Sequence, residues 1–245
     1  MRNDHHHSHT FSNQLIRKKT CVPKTQLMQL NKLLAAIPLL ALAAACNNQS
    51  AEAVKPLCDT TCMTDSIGFS IDHPQKPYVY ITASDCHPDS LVWSHSAIES
   101  NRKMEFSTLV SNTVYMNPSM VDCYIKDTSY AWLKFNDCMT GRGYLMKLPF
   151  SKENDLSNYT SALNSFDPAF KIADGLICYA DYTFIYVEDM ETGKTEKVLM
   201  HDQELKIDWN NIHETFESVT VTRNRIEADI LINGTKKRVE KDISL

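Results

Sequence analysis

Residues 58–245 read as a mainly β domain, an antiparallel β-sandwich-like fold with two short helices packed on an end or face. Three features lead there. Short runs rich in aromatic and β-branched residues recur along the chain. Several come in pairs around Gly-containing connections, as hairpin strands do. One pair brackets Asn233-Gly234, whose residue types suit the two positive φ angles of a type I′ turn.

In chain order, Tyr78-Val79-Tyr80-Ile81-Thr82 follows Pro77 and predicts the first clear strand. Tyr130 to Phe135 and Tyr144 to Phe150 flank Thr140-Gly141-Arg142-Gly143 and predict a hairpin with a longer loop. Tyr182 to Val187 and Lys197 to Met200 do the same around Asp189 to Gly193. In the last hairpin, Ile226, Ala228, Ile230 and Ile232 alternate with Glu227, Asp229 and Leu231. Its register sets Asp229 opposite Arg238, and Lys236, Lys237 and Lys241 suit a strand at or near an edge. Helical spacing predicts one helix through Leu156, Tyr159, Leu163 and Phe166, stopped by Asp167-Pro168. A second is expected through Trp209, Ile212 and Phe216, with Asp208 as its N-cap.

One periodicity suggests an alternative fold. Asp85, Asp137 and Asp189 are 52 residues apart and close similar runs, YVYITASD, YAWLKFND and YTFIYVED. A true repeat of this length would make the domain a small β-propeller instead of a sandwich.

The N-terminal segment supplies an address. Leu33 to Ala45 is an uncharged apolar run of 13 residues, shorter than the roughly 20 needed to span a bilayer. With Lys32 before it and small residues closing it, the run matches a secretory signal. Leu42-Ala43-Ala44-Ala45-Cys46 resembles the lipobox of bacterial lipoproteins. The resemblance implies cleavage before Cys46, acylation of its thiol and a lasting lipid anchor in the cell envelope, at the outer membrane or cell surface. Residues 1–45 are then the signal region, residues 46–57 the lipidated cysteine and a polar tether, and residues 58–245 one extracytoplasmic domain. Met28 to Lys32 makes a complete start for such a signal, which points to Met28 as initiator. His5, His6, His7 and His9 leave with the signal and form no metal site in the finished protein.

Export changes the charge. Six of the 25 Lys and Arg residues and one of the 30 Asp and Glu residues lie in residues 1–46, which leaves 19 positive against 29 negative side chains, a net of −10. Such a surface is repelled by phosphate backbones, so nucleic acid is not an expected partner. Cys58, Cys62, Cys86, Cys123, Cys138 and Cys178 form an even set in an oxidising compartment and are expected to pair as disulfides. The sequence leaves all 15 pairings open. The spacing Cys58, Cys62, Cys86-His87 admits zinc as an alternative, but no second matched pair completes it.

No metal or cofactor is expected, because no nucleophile elbow, paired-histidine helix or phosphate-cradling glycine loop occurs. Asp85-Cys86-His87 and Ser94-His95 are only sequence neighbours, which point to opposite faces of a strand. The sequences Asp137-Cys-Met-Thr-Gly141 and Asp189-Met-Glu-Thr-Gly193 lack the alternating oxygen ligands of a calcium loop and read as turns. The strand aromatics Tyr78, Tyr80, Trp93, Tyr130, Trp132, Tyr144, Tyr182, Phe184 and Tyr186 suit a core, or a face that stacks on sugar or peptide. Asp59-Thr60-Thr61, Asp65-Ser66-Ile67 and Asp89-Ser90-Leu91 resemble the Asp-Ser/Thr-apolar tripeptide that some bacteria O-glycosylate.

The functional expectation is a lipid-anchored, non-catalytic binding or scaffolding module, with a hydrolase built from distant residues as the alternative. Its partners are the membrane through the anchor and an envelope protein or glycan, contacted by loops carrying Asp137, Arg142 and Asp189. Replacing Cys46 by Ser is expected to move the protein from the membrane fraction to the soluble fraction. An unchanged distribution, with the wild-type N-terminus by mass spectrometry, refutes the lipobox reading.

Overall fold

The computed structural model describes residues 56–59 and 62–245. The signal region, Cys46, Thr60, Thr61 and all of the tether before Pro56 lie outside the described residues.

The largest element is a seven-stranded antiparallel sheet in the order β12-β11-β10-β8-β7-β6-β5. Its strands are β5 (Val121–Lys126), β6 (Tyr130–Asn136), β7 (Gly143–Pro149), β8 (Ser157–Ala162), β10 (Leu176–Ala180), β11 (Phe184–Asp189) and β12 (Thr195–Leu199). One face of it supports two smaller sheets. The first runs β1 (Ile67–Ser70), β2 (Tyr78–Ser84), β3 (His87–Ser94) and β4 (Arg102–Glu105). The second runs β15 (Thr235–Asp242), β14 (Arg225–Ile232), β13 (Phe216–Thr222) and β9 (Phe170–Ile172), antiparallel except where β9 meets β13.

Strand alternation explains this layering. In β6 and β7, Leu133, Phe135, Met146 and Leu148 point to one face and pack against Val79, Ile81, Leu91 and Trp93 of the first small sheet. In β10 and β11, Cys178, Ala180, Ile185 and Val187 pack against Val219, Ile226, Ala228 and Ile230 of the second. Strand pairing carries this parity across the sheet, so both cores lie on the same side. The result is two sandwiches sharing one sheet. Each fully buried large apolar side chain contributes roughly 1.5–3 kcal/mol. Trp93 Nε1 also donates to Pro149 O at 2.8 Å, and Arg102 Nη1 donates to the same oxygen at 3.0 Å, clipping the first small sheet to β7.

The sheets are layers, not blades, so the propeller alternative is corrected. The last hairpin follows the expected register, with Asp229 opposite Arg238 and β15 at an edge. Asn233 and Gly234 take φ of 51° and 74°.

The helices differ from expectation. Leu156 to Phe166 contains no helix; Ser157–Ala162 is strand β8. A bulge supplies the reason. Leu145 pairs with Tyr159 and Gly143 with Ala162, so residues three apart in β8 share a face. The apolar residues of the apparent stripe are divided instead, with Leu156 against the first core, Leu163 in the second and Tyr159 on the opposite face. The segment behind Asp208 contracts to a single 3₁₀ turn at Ile212–Glu214 before β13 begins. One helical turn, α1 (Phe106–Leu109), and a 3₁₀ turn at Pro118–Met120 were not legible in the sequence. The buried anchors of α1 are the isolated residues Phe106 and Leu109.

Two disulfides form, Cys58–Cys138 and Cys62–Cys86. Zinc ligation by Cys58, Cys62 and Cys86 is therefore corrected, because their sulfurs are already bonded. Cys123 and Cys178 stay free, which corrects the expectation that all six pair. Both sit on the seven-stranded sheet, and burial pushes both thiols far up from their ordinary range. Cys58–Cys138 closes a separation of 80 residues and Cys62–Cys86 one of 24. Chain-entropy arguments assign about 4–5 and about 3 kcal/mol to loops of those sizes.

Among the tripeptides resembling O-glycosylation motifs, Ser66 is exposed while Ser90 is buried in β3 and bonded to Asp89. Thiol titration of denatured, unreduced mature protein is expected to count two free thiols, and reduction to lower the melting temperature. A count of zero or six contradicts this pairing.

Candidate functional site

The second face of the seven-stranded sheet carries no covering sheet among the described residues. It is concave. At the β5 edge, Tyr124 Oη and Lys126 Nζ reach across to Glu191 in the β11–β12 turn. Tyr130 Oη donates to Met190 O at 2.6 Å. Beneath these contacts Trp132, Leu145, Ala162, Ile177 and Met190 form a small buried cluster.

Beyond that floor the face is aromatic. Tyr159 on β8, Tyr179 on β10 and Tyr186 on β11 stand side by side. Tyr159 and Tyr179 stack at 4.3 Å between centroids, and Tyr179 and Tyr186 at 5.1 Å and 9° between planes. Stacking occupies the ring faces, so the ladder turns edges and hydroxyls outward. Burial, with Tyr159, Glu188 and Tyr186 beside it, raises the Tyr179 hydroxyl well above the usual tyrosine range. Tyr186 Oη donates to Asp181 Oδ2 at 2.8 Å, and this bond raises the Tyr186 hydroxyl as well. Burial pushes Asp181 upward, but the Phe184 and Thr183 N–H groups, the Tyr186 hydroxyl and Lys197 outweigh it and hold the carboxyl below its ordinary range.

Lysines punctuate the aromatics. Lys147 Nζ lies 4.7 Å from the Tyr130 centroid and 4.9 Å from that of Trp132, and pairs with Glu188 at 3.1 Å. Lys197 Nζ stands 4.0 Å from the Phe184 centroid. Contacts of this kind contribute about 0.5–1 kcal/mol when exposed and about 2 kcal/mol when desolvated. Trp132 is 1% exposed and its Nε1 has no hydrogen-bond partner, a donor enclosed at the base of the face. A cavity of ≈ 400 Å³ opens at one end, lined by Tyr130, Lys147, Asn154 and Asp155 among others.

The loop residues named from sequence do not join this face. Asp137 and Asp189 are 4% and 2% exposed and organise two matching turns. Asp137 Oδ2 accepts from Thr140 N at 2.9 Å and Thr140 Oγ1 at 2.6 Å, while Gly141 N donates to Asp137 O. Asp189 Oδ1 accepts from Thr192 N at 2.7 Å and Thr192 Oγ1 at 3.1 Å, while Gly193 N donates to Asp189 O. The free oxygen of each carboxylate holds a distant segment, Tyr115 N for Asp137 and the Arg223 guanidinium for Asp189. Arg142 lies half-buried over the Tyr144 ring, its Nε bonded to Thr160 O.

Histidines are dispersed. His213 Nε2 meets buried Asp167 Oδ2 at 2.8 Å and its Nδ1 faces Phe216 O at 3.2 Å, so both ring nitrogens are engaged. His95 and His201 accept local N–H groups in turns. His87 packs edge-on against Tyr115, with a buried Nδ1 that has no partner. Among the described residues, no group of three or more His, Cys, Asp or Glu is placed to hold a metal ion.

Sequence reasoning found Tyr130, Trp132, Phe184 and Tyr186. It missed Tyr159, assigned to a helix, and also Tyr179, Lys147 and Glu188. The available signal was period-two alternation with bulky residues on both faces, as in Ile177-Cys178-Tyr179.

The Asp189 carboxyl is lowered to about 2, first by the Thr192 N–H and then by Arg223 against the opposing effect of burial. A depressed carboxyl stabilises the fold above its unfolded value of about 3.9, and that stability is lost as pH falls through the folded value. Asp189→Asn is expected to lose about 1–3 kcal/mol at neutral pH in urea unfolding. The gap to wild type should close between about pH 4 and pH 2. A gap independent of pH would show that the carboxylate charge plays no part.

Compared with known proteins, the chain matches no family model, no curated protein and no solved structure.

Proposed function

We propose that this protein is a lipid-anchored binding module of the cell envelope, held through Cys46, that recognises a protein partner with the concave face of its seven-stranded sheet. The observation that carries this reading is the Tyr159–Tyr179–Tyr186 ladder, three half-buried rings stacked at 4.3 and 5.1 Å on a face that no sheet covers among the described residues. Tyrosines held in place by neighbours bring large amphipathic area to an interface at little entropic cost. Stacking on a sugar needs an open ring face. Here the faces lie against each other, and the edges and hydroxyls suit a protein surface better.

Electrostatics support the same face. The domain is strongly acidic, yet Lys126, Lys134, Lys147 and Lys197 gather here, and the first three are already paired with Glu191, Asp122 and Glu188. Paired charges at a rim guide orientation more than they add affinity. A polar tether of residues 46–57 would hold the domain near the membrane surface.

A photo-crosslinking residue at Thr195, exposed on the rim of this face, is expected to capture a discrete partner in intact envelopes. The same residue at Glu240, on the far small sheet, should not. Tyr179→Ala in the Thr195 background is expected to reduce the adduct at least about tenfold, a loss of roughly 1.4 kcal/mol, with the melting curve as a check on folding. The same adduct from both positions, or an adduct insensitive to Tyr179→Ala, rejects the proposal.

A further inference from the structure

A cavity of ≈ 910 Å³ shares no lining residue with the aromatic ladder. It opens between the β10–β11 turn, the 204–208 loop and the β14–β15 hairpin. Leu205 N donates to Tyr182 O at 2.8 Å and Leu231 N to Thr215 O at 2.8 Å, so backbone bonds fix its walls. The floor is apolar, from Leu205, Ile207 and Leu231.

Three carboxylates line it, from Glu204, Asp208 and Glu214, against one cation, Lys206. Asp208 Oδ1 accepts from Asn210 N at 3.0 Å and Glu214 Oε1 from Asn211 Nδ2 at 2.6 Å, which leaves the second oxygen of each open. Tyr182, 48% exposed, forms one wall, steadied by Trp209 at 6.0 Å. Thr215 adds a polar group to the wall. Its residue is only 5% exposed and lines the cleft, and none of the described hydrogen bonds involves its hydroxyl. The hydroxyl is not enclosed, so it faces the cleft and can accept from an incoming donor.

An apolar floor, an aromatic wall and surplus carboxylates together match an alkyl stem ending in a positive charge. We propose that this cleft binds the lysine or arginine side chain of a peptide, at a site separate from the concave face. The cleft is wide and open, so a side chain carried on a backbone can enter while that backbone rests on the rim at Asn233-Gly234.

The test is calorimetric titration of the mature domain with acetyl-Gly-Lys-Gly-Lys-Gly-amide. Binding is expected, weakening as salt is raised, and its loss is expected when both lysines are Nε-acetylated. Glu204→Gln with Glu214→Gln, and separately Tyr182→Ala, should each weaken binding about tenfold. The charge-matched pair Glu99→Gln with Glu153→Gln, on exposed loops elsewhere, should leave it unchanged. Equal loss in that control would reduce the effect to the overall acidity of the domain and overturn the site. Absence of binding overturns it too. A free linear triamine binding as tightly as the peptide would overturn the peptide assignment.

Discussion

Gly143 on β7 and Ala162 on β8 press together near the middle of the seven-stranded sheet, and both cores depend on that approach. A Cβ at position 143 would stand 2.1 Å from the Ala162 carbonyl oxygen, so only glycine lets the strands pair there. Just beyond, buried Asn164 directs its Nδ2 to Phe135 O at 3.1 Å, Asn136 Oδ1 at 2.8 Å and Tyr144 O at 3.2 Å. One amide thus joins β6, β7 and the chain leaving β8, while Leu163 N crosses to Cys178 O on β10. On one side of this joint the sheet supports the first small sheet, and on the other the second. A satisfied polar node in an apolar setting specifies one arrangement, because every alternative strands its donors. The β8 bulge belongs to the same joint. It returns Ala162 to the face of Tyr159, and so aligns Tyr159 with Tyr179 for the ladder.

The two buried aspartates show how one local solution serves twice without making a repeat fold. Asp137 and Asp189 each close a hairpin by bonding the Thr three residues later, and each leaves one oxygen for a distant segment. Asp85 stands at the matching sequence position but sits in a two-residue turn with Cys86, at φ of 50° and 70°. Its neighbour is tied to Cys62 by a disulfide. The 52-residue spacing therefore marks a shared turn grammar at Asp137 and Asp189, and a different turn at Asp85. Hairpins of similar length produce such coincidences whenever the same four-residue loop is used.

Charge is distributed with a similar economy. On the outer face of β13–β15, Arg225, Arg238 and Lys236 interleave with Glu217, Glu227, Asp229, Glu240 and Asp242. These pairs are solvent-exposed and contribute little individually. Their larger consequence is to keep a long edge hairpin from pairing with other strands. The concave face is built differently, from rings and from lysines of which Lys126, Lys134 and Lys147 are already paired with carboxylates while Lys197 stands over Phe184.

The sequence by itself determined the antiparallel β class, the last hairpin to the level of register, and the turns at Asp137 and Asp189. These are local matters: alternation, turn residues and positive φ act over a few neighbours, and residues such as Asn233 and Gly234 carry that information directly. Four strand aromatics of the candidate face were legible for the same reason. Tertiary structure alone decided which cysteines pair, since Cys58 and Cys138 meet only after 80 residues of chain have folded. It alone turned the apparent helix at Leu156 to Phe166 into a bulged strand, because the bulge exists only opposite Gly143 and Leu145. It also withdrew Asp137 and Asp189 from the surface and brought Tyr159, Tyr179 and Tyr186 together from three strands. Side-chain partners across a sheet are set by long-range register, and register is settled by how whole faces pack.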